Sequence, residues 1–110
     1  MTSRSIEVIH LAGELDIARR SEISAALQVN GSEAGILVDC CKVTYADSTA
    51  LAELLRFRND AKNRQVPIAV LTGSTQFVRV IQYAGLNGVF EIFEHRAPAL
   101  TYLSNAGKLP

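Results

Sequence analysis

This 110-residue sequence is poor in several residue types and has no excess of charge of either sign. It has no tryptophan, only two cysteines and three prolines, and its 11 basic residues balance its 11 acidic ones. Because no basic stripe stands out, we expect no direct binding of nucleic acid. The apolar runs fall short of the roughly 18 residues of a membrane-spanning helix, and no signal-peptide pattern opens the chain. We therefore expect a cytoplasmic protein that does not act in a membrane.

The cysteines, histidines and serines form no pattern typical of a metal or catalytic site. Cys40 and Cys41 are adjacent, so on a strand they point to opposite faces, and we expect two buried free thiols in a reducing compartment. His10 and His95 stand alone, and Ser48 lacks the Gly-x-Ser-x-Gly surroundings of a hydrolase nucleophile. No Gly-rich phosphate loop occurs either. We expect neither an enzyme nor a bound cofactor.

Apolar segments and turn signals alternate along the chain in a way typical of an α/β domain. With 48% hydrophobic and 20% charged residues, the chain suits one compact domain over residues 1–110, with its core at about 6–103. The pattern predicts about four strands in a mixed, mostly parallel sheet, and four helices. The predicted strands are Ile6–Ala12, Ile36–Cys41, Val66–Leu71 and Val89–Phe93. The predicted helices run over Arg19–Gln28, from Ser48 onward, between Ser74 and Gly85, and over Pro98–Asn105.

The segment Asp47-Ser48-Thr49 marks the junction between the central strand and the second helix. Asp47 is the natural N-cap, because its carboxylate can accept the backbone N–H of Thr49 or Ala50. Ser48 is then the first helical residue, with its hydroxyl near the positive end of the helix dipole. An exposed serine in that place suits reversible phosphorylation. The plainer interpretation, which these residues alone leave open, is a capping cluster without a switch.

Three segments, taken in order, carry a resemblance to a known family. They are Gly13-Glu14-Leu15-Asp16 after the first strand, Asp47-Ser48-Thr49-Ala50-Leu51 after the central strand, and Ala84-Gly85-Leu86 at a helix end. With apolar strands between them, the chain resembles the STAS family, and within it the bacterial anti-sigma-factor antagonists. Members of that type carry an Asp-Ser-Ser/Thr-Gly-Leu segment whose first serine is phosphorylated. By position that serine is Ser48, and Thr49 is a candidate for a second site.

The resemblance implies a partner switch. The unphosphorylated antagonist binds an anti-sigma factor that is also a serine kinase of the histidine-kinase-like ATPase type, and this binding frees the sigma factor. The kinase releases the antagonist by phosphorylating it, and a metal-dependent serine phosphatase restores binding. ATP and magnesium belong to those partners, so the resemblance implies no cofactor on this chain.

A partner-binding face is expected around the Ser48 end of the second helix. The loops at the carboxyl ends of the strands share one edge of the sheet, where α/β folds place binding sites. We expect Glu53 and Arg56 to be exposed on the helix, with an ordinary solvated face as the alternative. Glu14 and Asp16 alternatively only cap and solvate a turn. The candidate residues are Glu14, Asp16, Asp47, Ser48, Thr49, Glu53, Arg56 and Ser74.

Two departures from the family pattern add further expectations. Ala50 replaces the family's glycine, and its methyl group is expected to hinder close approach by a kinase, although alanine is the better helix former. Only about five residues precede Ile6, so a usual first strand is missing. That would expose the edge of Ile6–Leu11 and leaves open homodimerisation through it. The second interpretation is therefore a STAS scaffold, or a subunit of a stress-signalling complex or transport system, that is not switched by phosphate.

Overall fold

The strands form one parallel sheet. All three pairings are parallel, and the strands lie in sequence order, with the first strand at one edge. The predicted α/β class is confirmed, although the sheet is wholly parallel within the described residues rather than mixed. The computed structural model describes residues 4–86 and 88–106, and its strands are β1 (Ile6–Leu15), β2 (Gly35–Ala46), β3 (Ile68–Leu71) and β4 (Ile92–Phe93).

Helices cover both faces of this sheet. Ala99 and Leu103 of the last helix pack in one apolar cluster with one face, whereas buried residues of the other three helices pack in a larger cluster against the opposite face. The first and last helices begin and end within two residues of the predicted bounds. In chain order the helical segments are a 3-10 turn (Ile17–Arg19), α1 (Arg20–Ala26), α2 (Ser48–Asn63), α3 (Thr75–Tyr83) and α4 (Arg96–Ala106).

Burial of β2 on both faces explains its almost continuous apolar run. Ile36 and Val38 point into the larger cluster, and Leu37 points into the cluster formed with α4. Such double burial is what the sequence pattern predicted for a central parallel strand. Phe57 of α2 and Phe77 of α3 are fully buried in the larger cluster. Their large apolar area holds both helices against the sheet.

β1 and β2 are longer than predicted, and β3 is shorter. β1 continues through Gly13, which was expected to follow the strand and instead lies in it with φ +76°. Two register shifts between β1 and β2 accommodate it, and pairing extends to Leu15 opposite Ala46. β3 begins at Ile68, because Pro67 has no N–H to donate to the ladder.

Gly85 ends α3 as predicted, in a left-handed cap with φ +74°. The N–H of Leu86 donates to the carbonyl of Ile81 at 3.1 Å, and Leu86 packs back on the larger cluster. Val89 then donates to the Leu86 carbonyl within a turn. β4 consequently begins at Ile92 and not at Val89.

Replacing Gly13 with alanine should destabilise the fold, whereas the same change at Gly73 should be tolerated. A Cβ at Gly13 would lie 3.2 Å from Nη1 of Arg19, on a backbone that is left-handed. A left-handed L-residue costs roughly 1–2 kcal/mol. Gly73 lies at the same edge of the sheet outside the left-handed region, with no described atom within 4 Å of such a Cβ. Urea unfolding measures both variants, and equal stabilities would contradict the role given to Gly13.

Candidate functional site

The junction between β2 and α2 is held from both sides by hydrogen bonds. On the β1 side, the N–H of Asp47 donates to the carbonyl of Leu15 at 3.2 Å. On the α3 side, Oε1 of Gln76 accepts from the N–H of Ala46 at 3.1 Å, and its Nε2 donates to the Ala46 carbonyl at 2.8 Å. β3 pairs only with the first part of β2, so the Gln76 amide takes the place of a strand at its end. These bonds fix the backbone that carries Ser48.

Ser48 lies exposed as the first residue of α2. Asp47 caps this helix as predicted, since its Oδ1 accepts from the N–H of Thr49 at 2.8 Å. Thr49 is half-buried. Ala50 is fully buried in the larger apolar cluster. Its methyl group therefore packs in the core and does not obstruct access to Ser48, contrary to expectation.

Side chains after the neighbouring strands lie at the same edge of the sheet. Asp16 follows β1 and caps the 3-10 turn, accepting from the N–H of Ala18 at 3.1 Å. Ser74 follows β3 and caps α3, accepting from the N–H of Phe77 at 3.2 Å. Glu14 is exposed near the end of β1. The predicted residues that the fold brings to this edge are Glu14, Asp16, Asp47, Ser48, Thr49 and Ser74.

Glu53 and Arg56 hold α1 against α2 and do not form an open helix face. Glu53 is only 5% exposed, and it accepts from Nε of Arg20 at 3.2 Å and from Nε of Arg56 at 3.1 Å. Arg56 is half-buried and also donates to the carbonyl of Leu27 at 2.9 Å. The expected exposure of Glu53 is therefore wrong. Helical spacing placed it among polar positions, but the packing of α1 supplies its partner Arg20.

The two cysteines point to opposite sides of β2, but only one of them is buried. Cys40 is 1% exposed, and burial raises the pKa of its thiol to about 12. Cys41 is exposed, which corrects the expectation that both are buried. A hydrogen bond to Asp39 raises the pKa of Cys41 as well. Because thiolates are the reactive species, neither thiol is activated at neutral pH.

Two residues at the Ser48 edge were not singled out from the sequence. Gln76 gave no signal, because a glutamine near the start of an amphipathic helix is ordinary. Ile17 directly follows the Asp16 cap and is 71% exposed. A large apolar residue directly after a capping aspartate is the signal by which it could have been found.

The chemistry available at this edge is that of an exposed hydroxyl beside a capping carboxylate at a positive helix end. Within residues 4–86 and 88–106, no three His, Cys, Asp or Glu side chains are grouped so that they could hold a metal ion. None of the helices described there is long and apolar enough to cross a membrane.

Comparison with known proteins identifies the family. Residues 2–94 match the family model described as Mlab, STAS domain. The match spans most of the chain, and the chain therefore belongs to the STAS domain family. A sequence comparison with curated proteins gives no match.

Solved structures with the same fold come from two classes of protein. An anti-sigma factor antagonist from Mycobacterium paratuberculosis is 20% identical, with a TM-score of 0.82 over 94% of this chain and 89% of that chain. A sulfate transporter family protein from Wolinella succinogenes is 15% identical, with a TM-score of 0.80 over 94% and 88%. The anti-sigma factor antagonist SpoIIAA of Bacillus, in its unphosphorylated form, is 23% identical, with a TM-score of 0.71 over 96% and 93%. At these identities the likeness shows the fold alone.

Removing the Gln76 amide should loosen the Ser48 junction. Gln76→Ala leaves the buried N–H and carbonyl of Ala46 without their partner, which costs roughly 1–3 kcal/mol for each unsatisfied group. Gln82→Ala, at an exposed position of the same helix, is the matched control and should change stability little. Urea unfolding gives the stabilities, and hydrogen exchange at Asp47 and Ser48 reports the local loosening. Unchanged exchange in Gln76→Ala would show that the amide does not fix the junction.

Replacing the Glu53 carboxylate with an amide should change how the free energy of unfolding depends on pH. Burial alone would raise the pKa of Glu53, but hydrogen bonds from Arg56, Arg20 and Ser24 lower it overall below its ordinary value of 4.5. The charged form thus stabilises the folded state above that value, and this contribution is lost as pH falls through the folded pKa.

Glu53→Gln should therefore be less stable than the wild type at about pH 7. The difference in free energy of unfolding between the two proteins should be smaller at about pH 3. Urea unfolding at both pH values measures it, with Glu94→Gln as the control at an exposed position. A gap of the same size at both pH values would contradict the role assigned to the Glu53 charge.

Proposed function

We propose that this chain is an anti-sigma factor antagonist in a partner-switching system. Its unphosphorylated form binds an anti-sigma factor that is also a serine kinase of the histidine-kinase-like ATPase type, and so frees the client of that factor. Phosphorylation of Ser48 ends this binding. The proposal is supported chiefly by the exposed position of Ser48 at the start of the 16-residue helix α2, on a backbone tied to β1 and α3.

The switch consists of two group transfers. The kinase moves the γ-phosphoryl group of ATP to Oγ of Ser48, the bond to ADP breaks, and the hydroxyl proton passes to a base of the kinase. A metal-dependent serine phosphatase then hydrolyses the phosphoserine with water and releases inorganic phosphate. This chain supplies the acceptor hydroxyl and is not itself an enzyme, and ATP and magnesium belong to its partners. Thr49, which is half-buried, is the second candidate acceptor.

The phosphate should leave the fold nearly unchanged. It adds about −1.5 to −2 charges at the N-terminus of α2 at neutral pH. The helix dipole stabilises an anion there by up to ~1 kcal/mol, and repulsion from Asp47 partly offsets this gain. Because Ser48 is exposed, no core contact has to move to accommodate the phosphate.

Binding is then lost at the partner's surface and not through a change of shape. A kinase must bring nucleotide phosphates to Ser48, so a phosphoserine at that point meets like charges and loses its hydration. Asp47 adds a further negative charge next to the phosphate. A penalty of about 3 kcal/mol corresponds to more than a hundredfold in affinity.

A second candidate function is a STAS module that is not switched, serving as a scaffold or as a subunit of a stress-signalling complex or transport system. The observation that favours it is the likeness in fold to a sulfate transporter family protein, with a TM-score of 0.80. In that case Ser48 is only a helix residue at a contact surface. Homodimerisation through β1, which lies at the edge of the sheet, is compatible with either function.

Two variants of Ser48 should separate these functions. Ser48→Ala and Ser48→Glu serve as baits in a quantitative pull-down from the native host, and circular dichroism checks that both are folded. The switch predicts that an ATPase-type serine kinase is captured by the alanine bait and lost from the glutamate bait. Incubation of wild-type protein with that kinase and ATP should add one phosphate at Ser48, as read by mass spectrometry.

Equal capture of the same partners by both baits would contradict the switch and favour the unswitched module. Capture of the kinase with no phosphate transfer to Ser48 would keep the contact but refute its regulation by phosphorylation. Transfer to Thr49 alone would move the switch to the second candidate acceptor.

A further inference from the structure

An exposed isoleucine lies beside the proposed phosphorylation site. Large hydrophobic side chains that are exposed in the described part of the chain are Ile17, Tyr45 and Tyr83. Ile17 is 71% exposed and lies in the 3-10 turn at the carboxyl end of β1. Tyr83 is 85% exposed but ends α3, about 12 Å along the helix from the Ser48 edge. Single exposed apolar residues are common, so the surroundings of Ile17 decide its meaning.

The turn that carries Ile17 is tied down on both sides by side chains. Asp16 caps it from the front through the N–H of Ala18. From behind, Nη1 of Arg19 donates to the carbonyls of Ala12 and Glu14, at 2.6 and 2.8 Å. A backbone that is already held needs no ordering when a partner binds, which favours an interface anchor carried on it.

Ile17 and Ser48 fall within one contact area. The N–H of Asp47 donates to the carbonyl of Leu15, which joins the ends of β1 and β2. Ile17 is two residues past Leu15 and Ser48 is one past Asp47, which limits their Cα separation to roughly 17 Å. A standard interface covers about 800 Å² on each partner and is wider than that. One partner of standard size can therefore contact both Ser48 and Ile17.

We propose that Ile17 is the apolar anchor of the Ser48 interface. It inserts into an apolar pocket on the kinase partner, next to the site that presents the nucleotide to Ser48. The rim of that pocket is basic, because Glu14 and Asp16 flank Ile17 with carboxylates that need partners when water is excluded. This inference rests on the proposed function and adds to it the chemistry of the surface that the partner must have.

The anchor also explains how one phosphate can end the contact. Anchoring at Ile17 fixes the orientation of the partner, so a phosphorylated Ser48 cannot turn away from the nucleotide site without pulling the isoleucine out of its pocket. The repulsion at Ser48 therefore cannot be relieved while Ile17 stays buried in its pocket. The two contacts lie on a backbone that hydrogen bonds hold rigid.

The test uses the partner captured by the Ser48→Ala bait, expressed and purified, and titrated by calorimetry against the wild-type chain and four variants, Ser48→Glu among them. Ile17→Ser should weaken binding about 30-fold or more, as truncation of a hot-spot residue does. Tyr83→Ser removes a more exposed apolar side chain far from the edge and should change affinity by less than about twofold. Ile17→Leu should restore most of the affinity, and thermal unfolding verifies that all variants are folded.

Each outcome has one meaning. Weak binding by Ile17→Ser, with rescue by Ile17→Leu, supports the anchor. Wild-type affinity in Ile17→Ser, while Ser48→Glu fails to bind, would overturn the anchor and leave the partner switch intact. Wild-type affinity in both variants, or no kinase captured at all, would overturn the switch and the anchor together. Equal losses in Ile17→Ser and Tyr83→Ser would assign the effect to general surface apolarity and also refute the anchor.

Discussion

The proposed site depends on how the last residues of β2 are held. These residues of β2 lie beyond the end of β3, so one side of their backbone has no neighbouring strand to form hydrogen bonds with. The Gln76 amide satisfies Ala46 from that side, and the Leu15 carbonyl receives the Asp47 N–H from the other. Buried backbone groups left unpaired are costly, and these bonds remove that cost while they fix the start of α2. They add to the apolar packing of α2 in positioning the helix end that presents Ser48.

This rigid edge suits a switch that acts through surface charge. The core beneath it is apolar and continuous, with Ala50 and Leu54 of α2 packed against the sheet. Charged contacts elsewhere, such as the Glu53 pair with Arg20 and Arg56, join α1 to α2 and stay out of the exposed edge. A modification at Ser48 therefore meets solvent or a partner and does not strain the interior. In the proposed switch, recognition and stability depend on different residues of the same helix.

The sequence predicted those features that depend on neighbours along the chain. The order of strands and helices, the Asp47 cap and the Gly85 helix end follow from local patterns, and the structure confirms them. Features that depend on packing were not predictable. Glu53 looked like a surface residue until α1 brought Arg20 to it, and Gln76 gave no sign of its partner 30 residues away. Strand lengths were misjudged for the same reason, because a bulged strand can continue through a glycine when its neighbour supplies the hydrogen bonds.

In the proposed switch, phosphate at Ser48 changes the surface of the protein and does not change its fold. Amide chemical shifts measure this most directly, comparing ¹⁵N-labelled wild-type protein with the same chain carrying phosphoserine at position 48. We expect shift changes confined to the edge, at Leu15–Ile17, Asp47–Leu51 and Ser74–Gln76. Ala99 and Leu103, in the cluster on the opposite face of the sheet, should keep their shifts. Changes that spread through α4 would show that the phosphate rearranges the fold. That result would contradict a switch that acts through surface charge alone.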